Sequence, residues 1–508
     1  MRAHWQLLLC SLAVVTWFWA AQIVMDRWSK VDPEVEAEKS ATEEAVLRDG
    51  IERKSSVKGR EGLIASVVVM RHGDRAAQRI APAYAAGDRQ SYNAKFPIDD
   101  QKWPVDYGQL TGRGMQQTKE FGQELHKRYV QKNNLLHDKY DHFETHARST
   151  DVDRTLVSAM GVMAGLYPGE SSVKNGAKGT VPVPVHTVPY ASDALMDGSA
   201  KAHCLLFNAQ AARALNSPDV RHEILKHRKF VEALPNLANV TSDDVDSYSN
   251  KKLVRLVTSL RDLRVCQRAH KMSQPHNVTQ FDDVLEDLTD MITNLKWRQP
   301  SNGSLVGGRL LRAVANRMRV AVAVQQGEKW ALDKLHEECN AKGSDSDEDG
   351  GCPRKLALYC GHDTTIFDLR EALGVNITVP GIVPYLSNLV FELDAGHGKN
   401  NFTIAVYSGS YVSQFEPLAG PFCGGQSNCT LAEFLDFVEN TVPTNIDVIC
   451  SRRPDPDISA YEARSARETL KHVFRQILII VLAAAAGAIG AAIYIGRVRK
   501  NEGYRRIE

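Results

Sequence analysis

Residues 63–70 read Leu-Ile-Ala-Ser-Val-Val-Val-Met, an apolar run broken by one serine, and a strongly polar stretch follows at once. Its length and β-branched content predict a buried strand. Between 111 and 131, Phe121, Leu125 and Tyr129 recur every four positions, which predicts a helix. Residues 140–145 predict a second strand. A polar turn, His146 to Asp151, and a helix with Leu156, Met160 and Met163 on one face follow, and Pro168-Gly169 stop that helix. The phrase returns at 355–360, a short apolar strand, then Gly361-His362-Asp363-Thr364-Thr365, then a helix to about 373. Residues 386–393 and 402–407 alternate as a hairpin. Strand, polar turn and helix in repeated succession predict an α/β domain that brings several strand ends to one crevice. Residues 190–300 carry short helical patterns and little strand signal, so they predict a mainly helical cap inserted into that domain. A further helix is expected over 307–326.

The two ends add a membrane to this picture. Residues 5–25 are apolar behind Arg2, which predicts a signal peptide over 1–25, with a retained signal anchor as the alternative. Residues 26–60 are a charged linker, 61–450 the folded domain, and 451–476 a charged stem. Residues 477–496 contain no charge, and about 20 such residues span a bilayer as a helix. Arg497, Arg499 and Lys500 follow, so the tail, 497–508, is expected in the cytosol. The resulting expectation is a single-pass type I membrane protein with its folded domain on the lumenal side.

Composition supports export and excludes other classes. Against 62 lysines and arginines stand 61 carboxylates, a net charge of +1 that gives no sign of nucleic-acid binding. Cys10 lies in the expected signal. The other eight cysteines are an even set in an exported region, which implies disulfides without giving their pairing. Six Asn-X-Ser/Thr sequons, at Asn239, Asn277, Asn302, Asn376, Asn401 and Asn428, fall between the two apolar ends and are the glycosylation candidates. The acidic stretch 344–349 lacks the ligand spacing of a calcium loop, and no Cys/His spacing suggests zinc.

Candidate chemistry sits in the polar turns after the predicted strands. Arg71, Arg75 and Arg148 offer guanidinium forks that match phosphate oxygens. His72 can attack phosphorus through an unprotonated ring nitrogen, a carbonyl at the other nitrogen fixing the tautomer. His362 can donate to a phosphate oxygen. Asp363 can protonate the leaving alkoxide if burial or a bound dianion raises its pKa.

The chain resembles the histidine acid phosphatases, in the branch of the prostatic and lysosomal enzymes. The resemblance is carried by Arg71-His72-Gly73-Asp74-Arg75, Tyr107-Gly108-Gln109-Leu110-Thr111, Arg148 to Thr155, Pro184 to Pro189 and His362-Asp363-Thr364-Thr365. It implies a mixed α/β sheet with helices on both faces and a helical cap. It implies an acid phosphomonoesterase acting through a phosphohistidine on His72, with Asp363 as general acid and Arg71, Arg75, Arg148 and His362 holding phosphate. No metal or cofactor is implied, and family members pair as dimers through the sheet edge. Cys204–Cys450 and Cys423–Cys429 are bridges by the same resemblance, with Cys339–Cys352 a guess. Ala76-Ala77 stand where the family has proline nearby, so a less rigid turn is expected. Tyr504 and Ile507 match the tyrosine-based form of endocytic sorting signals, which implies a sorting adaptor as partner and an endosomal or lysosomal address. The alternatives are a phytase-like inositol-phosphate phosphatase and a non-catalytic receptor on the same fold.

Overall fold

The structure is a computed structural model. It describes residues 61–78, 103–168, 182–199, 203–238, 245–272, 276–297, 302–333, 354–375, 383–398, 401–411 and 415–452. The expected signal, linker, membrane span and sorting tail lie outside these residues, as do Cys339, Cys352, Asn239 and Asn376. Among the described residues no helix is long and apolar enough to cross a membrane. Contacts divide the chain into two units, and everything below belongs to the larger, residues 61–321 and 333–508, except the end of one helix. Of the smaller, the described part is 322–332, the end of a helix and the stretch beyond it.

The apolar run becomes β1 (Gly62–Arg71), buried along almost its whole length. It pairs in parallel with β3 (Leu356–Gly361), which in turn pairs in parallel with β2 (Thr145–Ser149). On its other side β1 pairs antiparallel with β4 (Asn388–Ala395), and β4 with β5 (Phe402–Gly409). Two short strands, β6 (Glu416–Pro417) and β7 (Asn428–Thr430), both pair with β5. The sheet is therefore mixed, in the order β2-β3-β1-β4-β5-β6 with β7 off that path. The register sets Arg71 beside Gly361, so the turns after β1 and β3 leave the sheet side by side.

Two helices, α1 (Gly112–His126) and α2 (Asp153–Leu166), cover one face of this sheet. Phe121, Leu125, Val162 and Met163 pack there with Val68 and Leu358. The helices cross in backbone contact: a Cβ on Gly122 would stand 2.1 Å from the Val162 carbonyl oxygen. Between 190 and 300 the described residues form α3 (Leu205–Leu215), α4 (Pro218–Lys226), α5 (Arg228–Ala238), α6 (Asn250–Ala269) and α7 (Asp282–Trp297). Their apolar faces close a second core that includes Val220, Phe230, Leu253, Leu260 and Leu285. Helix α8 (Gly308–Gln326) and α9 (Asp363–Ala372), which follows β3, complete the parts used here.

The second strand lies later than its sequence predicts, at 145–149 rather than 140–145. Its residues, Thr-His-Ala-Arg-Ser, are mostly polar yet all buried, because the polar side chains find partners inside the fold. Stacked His146 and His186 rings lie 5.2 Å apart, and Arg148 meets Asp193. The first helix also departs from plain α geometry, continuing as a π-helical turn, Lys127–Lys132. There Tyr129 Oη meets Ser66 Oγ at 2.8 Å and donates to Glu392 at 2.9 Å, and Arg128 Nε donates to Glu392 at 2.5 Å. Disulfides join Cys204 to Cys450 and Cys423 to Cys429, while Cys266 and Cys360 are free and buried. Asn401 and Asn428 are exposed.

Candidate active site

Backbone pairing continues past the end of β1 and carries the arginine-histidine turn into the cleft. Arg71 N donates to Ser387 O at 2.8 Å, and His72 N donates to Gly361 O at 3.0 Å. Side chains of the two covering helices then strap the turn down. Gly73 N donates to Ser158 Oγ at 3.1 Å and Asp74 N to Gln117 Oε1 at 3.0 Å. Thr111 caps α1 by accepting from Gly114 N, and its hydroxyl donates to Asp74 Oδ2 at 2.6 Å. Gly114 sits so close that a Cβ there would lie 2.2 Å from the Asp74 carbonyl oxygen. His270 Nε2, just past α6, is 2.7 Å from Asp74 Oδ2. The restraint that a proline near Ala77 would provide comes from elsewhere. Ala76 and Ala77 are fully buried in the cap core, and their backbone bonds to Gln109 and Gly108 in both directions.

The tautomer of His72 follows from its surroundings. Nδ1 lies 2.7 Å from the Gly73 carbonyl oxygen, which can only accept, so Nδ1 carries the proton and Nε2 the lone pair. Burial, then the charges of Arg71, Arg75 and Arg154, push its pKa well below the usual histidine value. Both effects favour the neutral ring, the form a nucleophile needs. His362 is lowered by the same kinds of cause, burial first and Arg154 next. Arg154 Nη2 lies 3.3 Å from its Nδ1, and Nε2 is 3.1 Å from Thr150 Oγ1. Asp363 is 30% exposed, with Oδ2 3.4 Å from Arg71. Burial raises its pKa, but Arg71 and Arg75 outweigh that and hold the carboxyl below its ordinary range.

A cavity of about 590 Å³ opens over this group, and His72, Arg75, Arg154, His362 and Asp363 line it. Arg71 stands behind, its guanidinium 4.5 Å from the centre of the Tyr385 ring and one nitrogen donating to Val383 O. Arg148 does not line the cavity. It lies within β2 opposite Tyr359, not in the turn, and donates to buried Asp193 at 2.8 Å. The arginine that the same motif delivers to the cavity is Arg154, on the first turn of α2. Burial, and after it the charge of Arg75, pushes its pKa down to about 10. The Nε atoms of Arg71, Arg75 and Arg154 are buried with no acceptor, as is that of Arg148, so the cavity lining and the Asp193 pair are what separate Arg154 from Arg148.

Sequence reasoning missed Asp262 as well. It comes from cap helix α6, receives both terminal nitrogens of Arg75 at 2.8 and 3.3 Å, and accepts from Gln78 N at 2.9 Å. Local pattern gives no sign of this contact, because the two residues are 187 apart. Arg154 was legible in principle, since the first helical turn after a strand end is where anions bind. Among the described residues no cluster of His, Cys, Asp and Glu could hold a metal ion.

Residues 63–404 match the histidine phosphatase superfamily (branch 2). The chain is 29% identical to the prostatic acid phosphatase of Bos taurus over 395 residues, 76% of this chain and 87% of that one. It is 29% identical to the lysosomal acid phosphatase of Bos taurus over 389 residues, 74% and 81% of the two chains. Among solved structures, a phytase from Citrobacter braakii superposes with a TM-score of 0.52 at 19% identity, over 77% of this chain and all of that one.

Proposed function

The chain belongs to the histidine phosphatase superfamily, branch 2, and from that premise we propose that it is an acid phosphomonoesterase working through a phosphohistidine on His72. The observation that carries this is the placement of His72, its Nδ1 spent on Gly73 O and its ring set among the charges of Arg71, Arg75 and Arg154. The arginines bind the phosphate oxygens. Nε2 attacks phosphorus, a nitrogen–phosphorus bond forms, and the bond to the leaving oxygen breaks. Asp363 gives that oxygen its proton. Water then attacks phosphorus, Asp363 takes its proton, and phosphate leaves with His72 restored. Arg154, rather than Arg148, is the third phosphate arginine in this scheme, because Arg148 is neutralised by Asp193 away from the cavity.

The scheme accounts for acid conditions. In the empty site Arg71 and Arg75 keep Asp363 ionised. A bound phosphate dianion answers those charges and adds its own, which raises the carboxyl pKa and lets it hold the proton that the leaving group needs. His72 stays unprotonated because its own pKa is depressed. Activity therefore needs a pH below the bound Asp363 pKa and above that of His72. His72→Ala should abolish hydrolysis of 4-nitrophenyl phosphate by the detergent-solubilised full chain, with the melting temperature kept. Normal turnover by a folded His72→Ala protein overturns the mechanism.

The relatives named lysosomal, the sequons and the uncharged run 477–496 support a membrane-anchored enzyme with its catalytic domain in the endosomal or lysosomal lumen. Tyr504 and Ile507 would then serve a sorting adaptor, and a sheet edge would serve a homodimer. Likeness to phytases at this identity speaks for the fold alone, so no inositol-phosphate substrate is inferred from it.

A further inference from the structure

The cavity is much larger than a phosphate, and part of its wall takes no part in the chemistry above. Tyr190, Asp197, Ser199 and Lys296 line it together with the catalytic group. This wall is built in advance of any ligand. Buried Asp368 on α9 accepts from Trp297 Nε1 at 2.7 Å and from Ser199 N at 3.0 Å, tying the end of α7 to the 190–199 segment. The Lys296 ammonium lies 3.9 Å from the centre of the Trp297 ring. Asp197 is only 5% exposed and accepts from the Tyr190 hydroxyl. Its Oδ2 is buried and has no hydrogen-bond partner. A buried carboxylate oxygen without a donor is costly, and Asp197 is among the residues that line the cavity.

From this juxtaposition we infer that Asp197 and Lys296 form a polyol subsite, so that the leaving group is a hydroxyl-rich alcohol such as a sugar. The inference rests on the phosphatase reading above. A carboxylate oxygen accepts from one hydroxyl, while an ammonium beside it donates to the oxygen of a neighbouring one. The Ser199 hydroxyl can do either, and the Tyr190 oxygen, its proton given to Asp197, can accept. An aryl leaving group offers Asp197 no donor. A second phosphate would meet the carboxylates of Asp197 and Asp262, both lining the cavity. Sites built to hydrogen-bond a substrate hydroxyl discriminate strongly against analogues that lack it.

The test compares glucose 6-phosphate with 4-nitrophenyl phosphate on the full chain, wild type beside Asp197→Ala and Lys296→Met. Each variant should lose about tenfold or more in kcat/KM for the sugar phosphate. The same variants should change less than about twofold on the aryl phosphate, and that turnover also reports that they are folded. Equal losses on both substrates, or no loss on the sugar phosphate, overturn the polyol subsite while leaving the phosphatase reading in place. A wild-type enzyme that turns over neither substrate overturns the phosphatase reading, and the subsite falls with it.

Discussion

Two arginines six residues apart should fail in different ways when removed. Arg154 lines the cavity with a buried Nε that has no acceptor, and among the described contacts it has no carboxylate partner within bonding distance. If it grips phosphate with two charge-assisted hydrogen bonds, each worth about 1.5–3 kcal/mol, Arg154→Ala costs roughly 3–6 kcal/mol of transition-state binding. That is about 10²- to 10⁴-fold in kcat/KM. A second readout has a definite sign. Arg154 is among the charges that depress His72 and His362, so its removal lets both pKa values rise. The acid limb of the kcat/KM profile, where His72 becomes protonated, should move to higher pH. Arg148→Ala instead leaves buried Asp193 without its cation at 2.8 Å. Breaking such a pair costs about 3–5 kcal/mol of stability, a fall in melting temperature of about 5–10 °C. The assay is steady-state hydrolysis of 4-nitrophenyl phosphate across pH, with a thermal melt of each variant. A folded Arg154→Ala enzyme with normal kcat/KM would refute the assignment. So would an Arg148→Ala enzyme that melts like wild type yet has lost its activity.

Other outcomes follow from the same contacts. Burial raises Asp368 to about 7, above its unfolded value near 4, so the protonated form is favoured by folding. That stability is fully present below about pH 4 and is lost as pH rises through about 7, on the order of 4 kcal/mol. Thermal melts should show a fall over that interval, and Asp368→Asn should flatten it. Cys204 and Cys450 close a loop of 246 residues, so Cys204→Ala should cost about 2–5 kcal/mol, read as a lower denaturant midpoint without reductant. Gly114→Ala places a methyl against the Asp74 carbonyl, so the catalytic turn must shift. Activity should fall at least tenfold with a milder loss of melting temperature, and unchanged kinetics would show that the turn tolerates displacement.

What the sequence made legible was whatever local pattern controls. The turns bearing His72 and Asp363 follow apolar runs, and those runs become β1 and β3 because both are buried in the centre of the sheet. The strand before Arg148 was displaced in the reading because Thr145–Ser149 is polar. Its burial depends on Asp193 and His186, partners that no short window contains. That one displacement put Arg148 in a turn and hid Arg154 on a helix that reads as ordinary amphipathic surface. Asp262, Asp197 and Lys296 were hidden for a related reason. They come from the cap, whose helices declare their period but not the direction in which they face the cleft.

The order of strands in the sheet has a consequence for how the enzyme comes into being. β3 lies between β1 and β2, although it is made long after both. While the chain is still being synthesised, the two early strands have no common neighbour, and the arginines of the first turn have no Asp363 to face. The cap is made between them, before β3 can be inserted between β1 and β2. A growing chain is thus inert toward phosphate esters by construction. Recovered activity after refolding reports that this long-range parallel pairing of β1 with β3 has closed.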